Sequence, residues 1–118
     1  MILMHVKDNE KQMAVRYTAE KIGEEIVTIG SGELDRVVMS FFTGKDVRKA
    51  VKIPPLYVMP EVLVFIGFDD SKLDLFLRTY KSLGVKPVAL KAVSTMHNAG
   101  WSIYELIEHL KEEHQGRA

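Results

Sequence analysis

The sequence predicts an α/β protein with a small four-stranded, mostly parallel sheet and helices packed on it. Two observations predict this class. Short apolar segments typical of strands alternate with segments in which apolar residues recur at helical spacing, and Gly or Pro residues stand between them. With 118 residues and 47% hydrophobic residues, the chain has the size and the apolar content of one domain.

Residues 1–44 predict a β-α-β-α order. A short apolar segment at residues 2–6 predicts the first strand, and a helix follows over about residues 9–21. Residues 25–29 are rich in β-branched side chains and predict the second strand. The second helix is expected from about Leu34 to Gly44, because apolar residues recur there at helical spacing: Leu34, Val37, Val38 and Phe41.

Residues 45–61 predict a connector, because its three prolines cannot lie inside a helix or a central strand. Residues 62–118 then repeat the β-α-β-α order. We expect strands at residues 62–66 and at about residues 87–93, with a helix between them. The last helix is expected to begin at Ser102, because Ser102 and Glu105 have the spacing of a capping box.

The two halves are expected to pack with their first strands adjacent, which gives the strand order 2-1-3-4. In a parallel sheet of this order, ligands bind beyond the carboxyl ends of the strands, where the winding direction changes. Polar residues follow these ends, namely His5, Lys7, Asp69 and Asp70. We therefore expect one polar rim at a single end of the sheet.

The segment from Lys91 to Trp101 is the strongest candidate for a site. The link of about ten residues before the last helix is longer than the short link over residues 30–33 in the first half. A lysine near the end of a buried strand requires a carboxylate or a ligand anion. The predicted ligand-binding residues are Lys91, Thr95, His97, Asn98, Trp101, Asp69, Asp70, His5 and Lys7.

Each of these residues also has a structural interpretation. Lys91 could form a salt bridge with Asp69 or Asp70, and Thr95 could bind amides of its own loop. Asn98 and Gly100 suit turn positions with positive φ. Trp101, directly before the expected helix cap, could pack on Leu106 as a hydrophobic staple.

Composition excludes several classes of function. Sixteen basic residues balance sixteen acidic ones, which disfavours general nucleic-acid binding. The chain has no cysteine and no apolar run near the ~20 residues of a membrane span, so we expect a cytoplasmic protein. His109 and His114 lack the spacing of a zinc pair on a helix, and residues 30–32 lack a full dinucleotide fingerprint. We therefore predict no metal site and no cofactor.

Residues 62–114 carry a motif that is similar to an uncharacterised prokaryotic family, the domain of unknown function 3783. The family has an apolar strand, an acidic turn, a helix and then Lys-Ala-Val-x-Thr-x-x-Asn-x-x-Trp. Here the motif consists of Lys91, Ala92, Val93, Thr95, Asn98 and Trp101, followed by Leu106 and the pair Glu113 and His114. The resemblance implies where the family signature lies and implies no activity.

Two functions fit these observations. The first is a noncatalytic module that binds a small anionic or nucleotide-like ligand, or a protein partner, through the loop from Lys91 to Trp101. The alternative is a small enzyme with acid-base or phosphoryl chemistry that uses Lys91, an aspartate and His97 or His5. A homodimer is also expected from two edge strands and four apolar residues: Phe42, Leu56, Tyr57 and Met59.

Overall fold

The computed structural model describes residues 1–115 and confirms the α/β class, with one four-stranded sheet in the order β2-β1-β3-β4. The elements are β1 (Ile2–His5), α1 (Asn9–Ile22), β2 (Ile26–Thr28), a 3-10 helix (Ser31–Glu33), α2 (Val38–Thr43), β3 (Val62–Phe65), α3 (Asp70–Ser82), β4 (Leu90–Val93) and α4 (Ile103–Gln115). We call β1 to α2 the first unit and β3 to α4 the second unit. No helix in the described residues is long and apolar enough to cross a membrane.

Strand direction differs from the expectation at the centre of the sheet. β1 and β2 are parallel, as are β3 and β4. β1 and β3 are antiparallel, with His5 opposite Val62 and Ile2 opposite Phe65. The carboxyl ends of the two strand pairs therefore lie at opposite ends of the sheet, and the prediction of one shared polar rim is wrong. Apolar strands that are covered on both faces have the same pattern in either direction, so the sequence does not encode this choice.

Helices cover both faces of the sheet. α1 and α3 pack on the face that presents Ile2, Met4 and Phe65. α2 and α4 pack on the opposite face, against Leu3 and Val64. Because successive side chains along a strand point to opposite faces, short strands serve two separate apolar cores.

The two units have the same arrangement and are related by an approximate twofold axis. Asp8 and Asp69 each cap the helix that follows, by accepting a hydrogen bond from a lysine backbone N–H. Gly23 and Gly84 each follow that helix, with φ of 74° and 71°. In both pairs the second residue lies 61 positions after the first. The units therefore correspond residue by residue through their first helix.

The loops after β2 and β4 also correspond. The backbone N–H groups of Ile29 and Ser94 make equivalent hydrogen bonds to β1 and β3. Val37 and Ser102 face each other directly before α2 and α4. In both pairs the second residue lies 65 positions after the first, so the two loops have equal length. The prediction that the second loop is longer is wrong, because α2 begins later than expected, at Val38.

The starts of α2 and α4 bind each other across the twofold axis. The Val38 N–H donates to the Trp101 carbonyl at 2.9 Å, and the Ile103 N–H donates to the Arg36 carbonyl at 2.9 Å. The next N–H of each helix repeats this exchange. Donors in the first turn of a helix have no acceptor within that helix. Each unit therefore provides backbone carbonyls for helix N–H groups of the other unit that have no acceptor in their own helix.

The connector pairs with the first unit. The Val37 N–H donates to the Val47 carbonyl at 2.7 Å, and the Lys49 N–H donates to the Asp35 carbonyl at 2.8 Å. In the second unit, the residue equivalent to Val37 is Ser102, whose N–H binds a side chain of its own helix instead. The N–H before α2 therefore needs an acceptor from the connector, whereas the N–H before α4 finds its acceptor within α4.

The apolar residues that suggested a homodimer do not form one exposed patch. Phe42 and Leu56 are 54% and 97% exposed. Met59 is buried in the core, and Tyr57 packs its ring edge against Tyr104. Met59 and Tyr57 therefore pack within the protein, and of the four residues only Phe42 and Leu56 could contribute to a dimer surface.

Glu61 organises the turn after β1. Its carboxylate accepts hydrogen bonds from the backbone N–H groups of Lys7 and Asp8, both at 2.8 Å, and from Lys11 Nζ at 2.9 Å. Burial on its own raises the pKa of Glu61. The three hydrogen bonds outweigh burial, so the pKa lies below its ordinary value.

We expect Glu61→Gln to lower the free energy of unfolding by about 1 kcal/mol at neutral pH, because an amide lacks the charge that these donors stabilise. A carboxylate with a lowered folded-state pKa stabilises the fold above its unfolded-state pKa, here 4.5. This contribution is lost as pH falls through the folded-state pKa. In urea unfolding, the difference between the variant and the wild type should therefore shrink on acidification. Glu20→Gln, at an exposed position, is the control; an equal loss for Glu61→Gln at neutral and strongly acidic pH would contradict the prediction.

Candidate functional site

The predicted site residues lie at two ends of the sheet. His5 is the last residue of β1 and Lys7 follows the strand, at the end where β3 begins. Asp69 and Asp70 follow β3 at the opposite end, where the loop after β4 also begins. The structure therefore separates His5 and Lys7 from Asp69, Asp70 and the loop after β4, whereas Lys91 lies within β4, opposite Leu63. The site that the sequence predicted as one group is divided by the length of the sheet.

His5 and Lys7 have local contacts. His5 Nδ1 donates to the Ile29 carbonyl at 3.0 Å, and His5 Nε2 is buried without a partner among the described atoms. The Lys7 backbone N–H binds Glu61, and the Lys7 side chain is exposed. Glu61, which the sequence analysis did not single out, is the residue that fixes this turn.

Asp69 is a helix cap and not the partner of Lys91. Asp69 Oδ1 accepts the Lys72 N–H at 2.8 Å, and Asp70 is exposed in the first turn of α3. Lys91 Nζ instead donates to the Val88 carbonyl at 2.7 Å. The predicted salt bridge from Lys91 to Asp69 or Asp70 is therefore wrong, and within residues 1–115 no carboxylate is paired with Lys91.

Thr95 and Asn98 hold the loop after β4 in shape. Asn98 Oδ1 accepts the Thr95 N–H at 2.8 Å, and Asn98 Nδ2 donates to the Val93 carbonyl at 3.2 Å. Thr95 Oγ1 accepts the N–H groups of His97 and Asn98, as expected of a side chain that binds loop amides. The predicted positive φ at Asn98 and Gly100 is wrong. The polar groups of Thr95 and Asn98 are thus used within the loop.

Trp101 stands at the start of α4 between two histidines. The Ser102 N–H donates to Glu105 Oε1 at 2.8 Å and the Glu105 N–H donates to Ser102 Oγ at 3.1 Å, which confirms the capping box. The Trp101 ring packs against the core, with ring centroids 5.3 Å from His97 and 4.7 Å from His109. The sequence pointed to His109 only as a zinc ligand, which its spacing from His114 argued against. The spacing of about two helical turns between Trp101 and His109 is the signal that could have identified it.

A cavity of about 390 Å³ lies beside Trp101, between the loop and α4. Four of the predicted site residues line it, namely Lys91, His97, Asn98 and Trp101. His109 and Glu113 of α4 complete its polar wall. The structure therefore brings together the part of the predicted site that lies within the second unit.

A second cavity, of about 340 Å³, lies on the other face of β4, between β4 and α3. Its walls are mostly apolar: Leu63, Phe76, Leu77, Tyr80, Val85, Pro87 and Val88, with Lys81 and Lys91. Lys91 is the residue that this cavity shares with the cavity beside Trp101. No motif in the sequence predicts this cavity, because it arises from how α3 packs over β4.

Lys91 is electrostatically unusual. Much of its side chain reaches the surface, yet the surrounding apolar groups desolvate the ammonium, and this burial lowers the pKa of Lys91 below the ordinary value of 10.5. By contrast, the hydrogen bond from Lys11 to Glu61 raises the pKa of Lys11. Lys91 therefore holds a charge that its own surroundings disfavour.

The two histidines predicted for the site have a ring and a backbone carbonyl as their described partners. Within residues 1–115, no group of three or more histidines and carboxylates could hold a metal ion. His97 contacts the Trp101 ring, and His5 binds the Ile29 carbonyl. What the geometry offers chemically is a lysine that lines both cavities, next to a rigid loop.

Comparison with known proteins gives one match. Residues 61–116 match the family model of a domain of unknown function, DUF3783. The matched segment contains β3, α3, β4 and α4, so the resemblance found at Lys91 to Trp101 is confirmed for the C-terminal part of the chain. No curated protein and no solved structure matches the chain.

We expect Asn98→Ala to lower the free energy of unfolding by about 1–2 kcal/mol, because it removes both side-chain hydrogen bonds that close the loop. Hydrogen exchange measured by NMR should speed up at the Thr95 amide, whose acceptor is lost. Asn98→Asp keeps that acceptor and should retain most of the protection at Thr95. Unchanged exchange at Thr95 in Asn98→Ala would show that the side chain does not hold the loop.

Proposed function

We propose that the protein is a noncatalytic binding module for a small anionic ligand and that Lys91 recognises the anion. The observation that carries this proposal is the state of the Lys91 ammonium. It is desolvated by apolar neighbours and donates to the Val88 carbonyl. Lys91 also lines the cavities on both sides of β4.

An ammonium in such a setting favours an anionic partner. It carries three N–H donors, and the Val88 carbonyl accepts from one of them. Removing a cation from water costs free energy unless an opposite charge compensates. Lys11 and Lys49 have carboxylate partners at 2.9 and 2.8 Å. A bound anion would give Lys91 the compensation that these two lysines receive from the protein.

The loop from Lys91 to Trp101 supports this function by its rigidity. Thr95 and Asn98 fix the backbone through hydrogen bonds within the loop. His97 and Trp101 form the wall of the cavity beside them, and Trp101 is anchored in the core. Preformed walls reduce the entropy that a ligand loses on binding.

The enzyme alternative receives less support from the geometry. Acid-base or phosphoryl chemistry would need His97 or His5 to face an aspartate or a lysine within hydrogen-bond distance. The described partners are an aromatic ring for His97 and a backbone carbonyl for His5. Binding without chemistry is therefore our proposal.

We place this module in the cytoplasm of a prokaryotic cell. A chain without cysteine suits a reducing compartment, and the C-terminal motif resembles a prokaryotic family. The edge strands β2 and β4 support the further prediction of a homodimer, because each leaves backbone groups open to pairing.

Thermal unfolding at low ionic strength tests the proposal when it is measured with inorganic phosphate, pyrophosphate, nucleotides and simple carboxylates. At least one of these anions should raise the thermal unfolding midpoint, since a ligand that binds only the folded state stabilises it. Lys91→Met keeps the aliphatic stem, removes the charge and should abolish the shift. Lys86→Met, at an exposed position of the α3–β4 connection, should leave it intact. An equal shift in Lys91→Met and the wild type, or no shift with any anion, would refute the role of Lys91.

Lys91→Met should also change how stability depends on pH. The folded-state pKa of Lys91 is below the unfolded-state value of 10.5, so between the two values the unfolded chain binds more protons. The free energy of unfolding should therefore gain a contribution as pH rises through this window. Lys91→Met should lack that contribution, so the stability of the wild type relative to Lys91→Met should increase as pH rises toward 10.5. A stability difference between the two proteins that does not change with pH over this range, in urea unfolding, would contradict this prediction.

A further inference from the structure

The cavity between α3 and β4 exists because the second unit is longer than the first. Gly84 follows Gly23 by 61 residues, whereas Lys91 follows its counterpart Ile26 by 65, so the connection from α3 to β4 contains four more residues than the one from α1 to β2. Val85, Pro87 and Val88 of this longer connection line the cavity. The cavity is thus a feature of the second unit's own sequence.

Hydrogen bonds fix the extra residues in place. Tyr80 Oη donates to the Lys86 carbonyl at 2.6 Å, and Lys91 Nζ donates to the Val88 carbonyl at 2.7 Å. The first bond ties the connection to α3 and the second ties it to β4. These two bonds therefore fix the part of the connection that lines the cavity.

The walls and the rim of this cavity differ in chemistry. Leu63, Phe76 and Val88 belong to the apolar core or pack beside it. The charged side chains at the cavity are both cations, Lys81 and Lys91. The Tyr80 hydroxyl is already bonded to a backbone carbonyl, so the interior offers few groups that could bind a sugar or a base.

We infer that this cavity binds the aliphatic chain of a free monocarboxylate whose carboxylate group pairs with Lys91. This inference rests on the proposed function and names the class of anion. The chain would remove the apolar walls from water, and the carboxylate would compensate the desolvated ammonium. The volume of about 340 Å³ lies at the small end of the ~300–1,000 Å³ found for small-molecule sites, which favours a chain of medium length.

Isothermal titration with acetate, butyrate, hexanoate, octanoate and decanoate, all below micelle formation, tests the inference on the full chain. Each buried methylene contributes about 0.8 kcal/mol, so affinity should rise about fourfold per added methylene until the cavity is full and should then level off. Octylamine should not bind, because its ammonium group would lie next to the ammonium of Lys91 and the two like charges would repel each other. Affinity that does not depend on chain length, or equal binding of octylamine, would overturn the inference.

Two variants separate the roles of the charge and the walls. Lys91→Met should weaken octanoate about tenfold or more, since a hydrogen bond to a charged group is lost, and Lys86→Met is its control. Leu77→Trp fills the cavity from an exposed position of α3 and should remove the dependence on chain length while leaving Lys91 in place. Leu75→Trp, at a position of the same helix that is also 40% exposed but does not line the cavity, should bind octanoate as the wild type does.

The outcomes distinguish this inference from the proposed function. If phosphate or acetate binds in a Lys91-dependent way and longer chains bind no better, the inference fails and the proposed function stands. If no anion binds, both fail. Binding to vesicles with anionic headgroups but not to free octanoate would assign the surface to a membrane and would also overturn the inference.

Discussion

Hydrogen bonds exchanged across the twofold axis hold the two units of the sheet and their helices together. β1 and β3 lie antiparallel at the centre of the sheet, and the first turns of α2 and α4 donate to each other's preceding backbone. Either unit alone would leave a strand edge and several helix donors unpaired. Packing the two units about one axis satisfies both requirements together.

The antiparallel arrangement of the two units also determines which loops can form a ligand site together. In a doubly wound parallel sheet, the loops that follow all strands meet around one crevice. Here they lie at opposite ends, so residues after β1 cannot cooperate with residues after β4. A site must then come from what distinguishes one unit from its counterpart. The extra residues between α3 and β4 are such a difference, and Lys91 in place of Ile26 is another.

The sequence was sufficient for the order of the elements, the strand order and the capping box at Ser102, because these depend on local periodicity and cap chemistry. It was not sufficient for the direction of β3, since the pattern of an apolar strand covered on both faces is the same in the parallel and the antiparallel direction.

The start of α2 was also predicted too early in the sequence. Leu34 is buried and fits the helical spacing, but it belongs to a loop that pairs with its counterpart in the second unit. The sequence could predict that Lys91, His97 and Trp101 line one cavity, because they are close together in the chain. It could not predict the cavity between α3 and β4, because that cavity depends on packing between separate segments.

The complete burial of β3 has an implication for the second unit when it is expressed without the first. All four residues of Val62–Phe65 are buried, and β1 covers one flank of this strand. A copy of the second unit that lacked the first would expose that flank, with its amide and carbonyl groups open to uncontrolled association. Such a polypeptide must recruit a substitute strand from a neighbouring domain or from another molecule. In the present chain, β1 of the first unit is that partner strand.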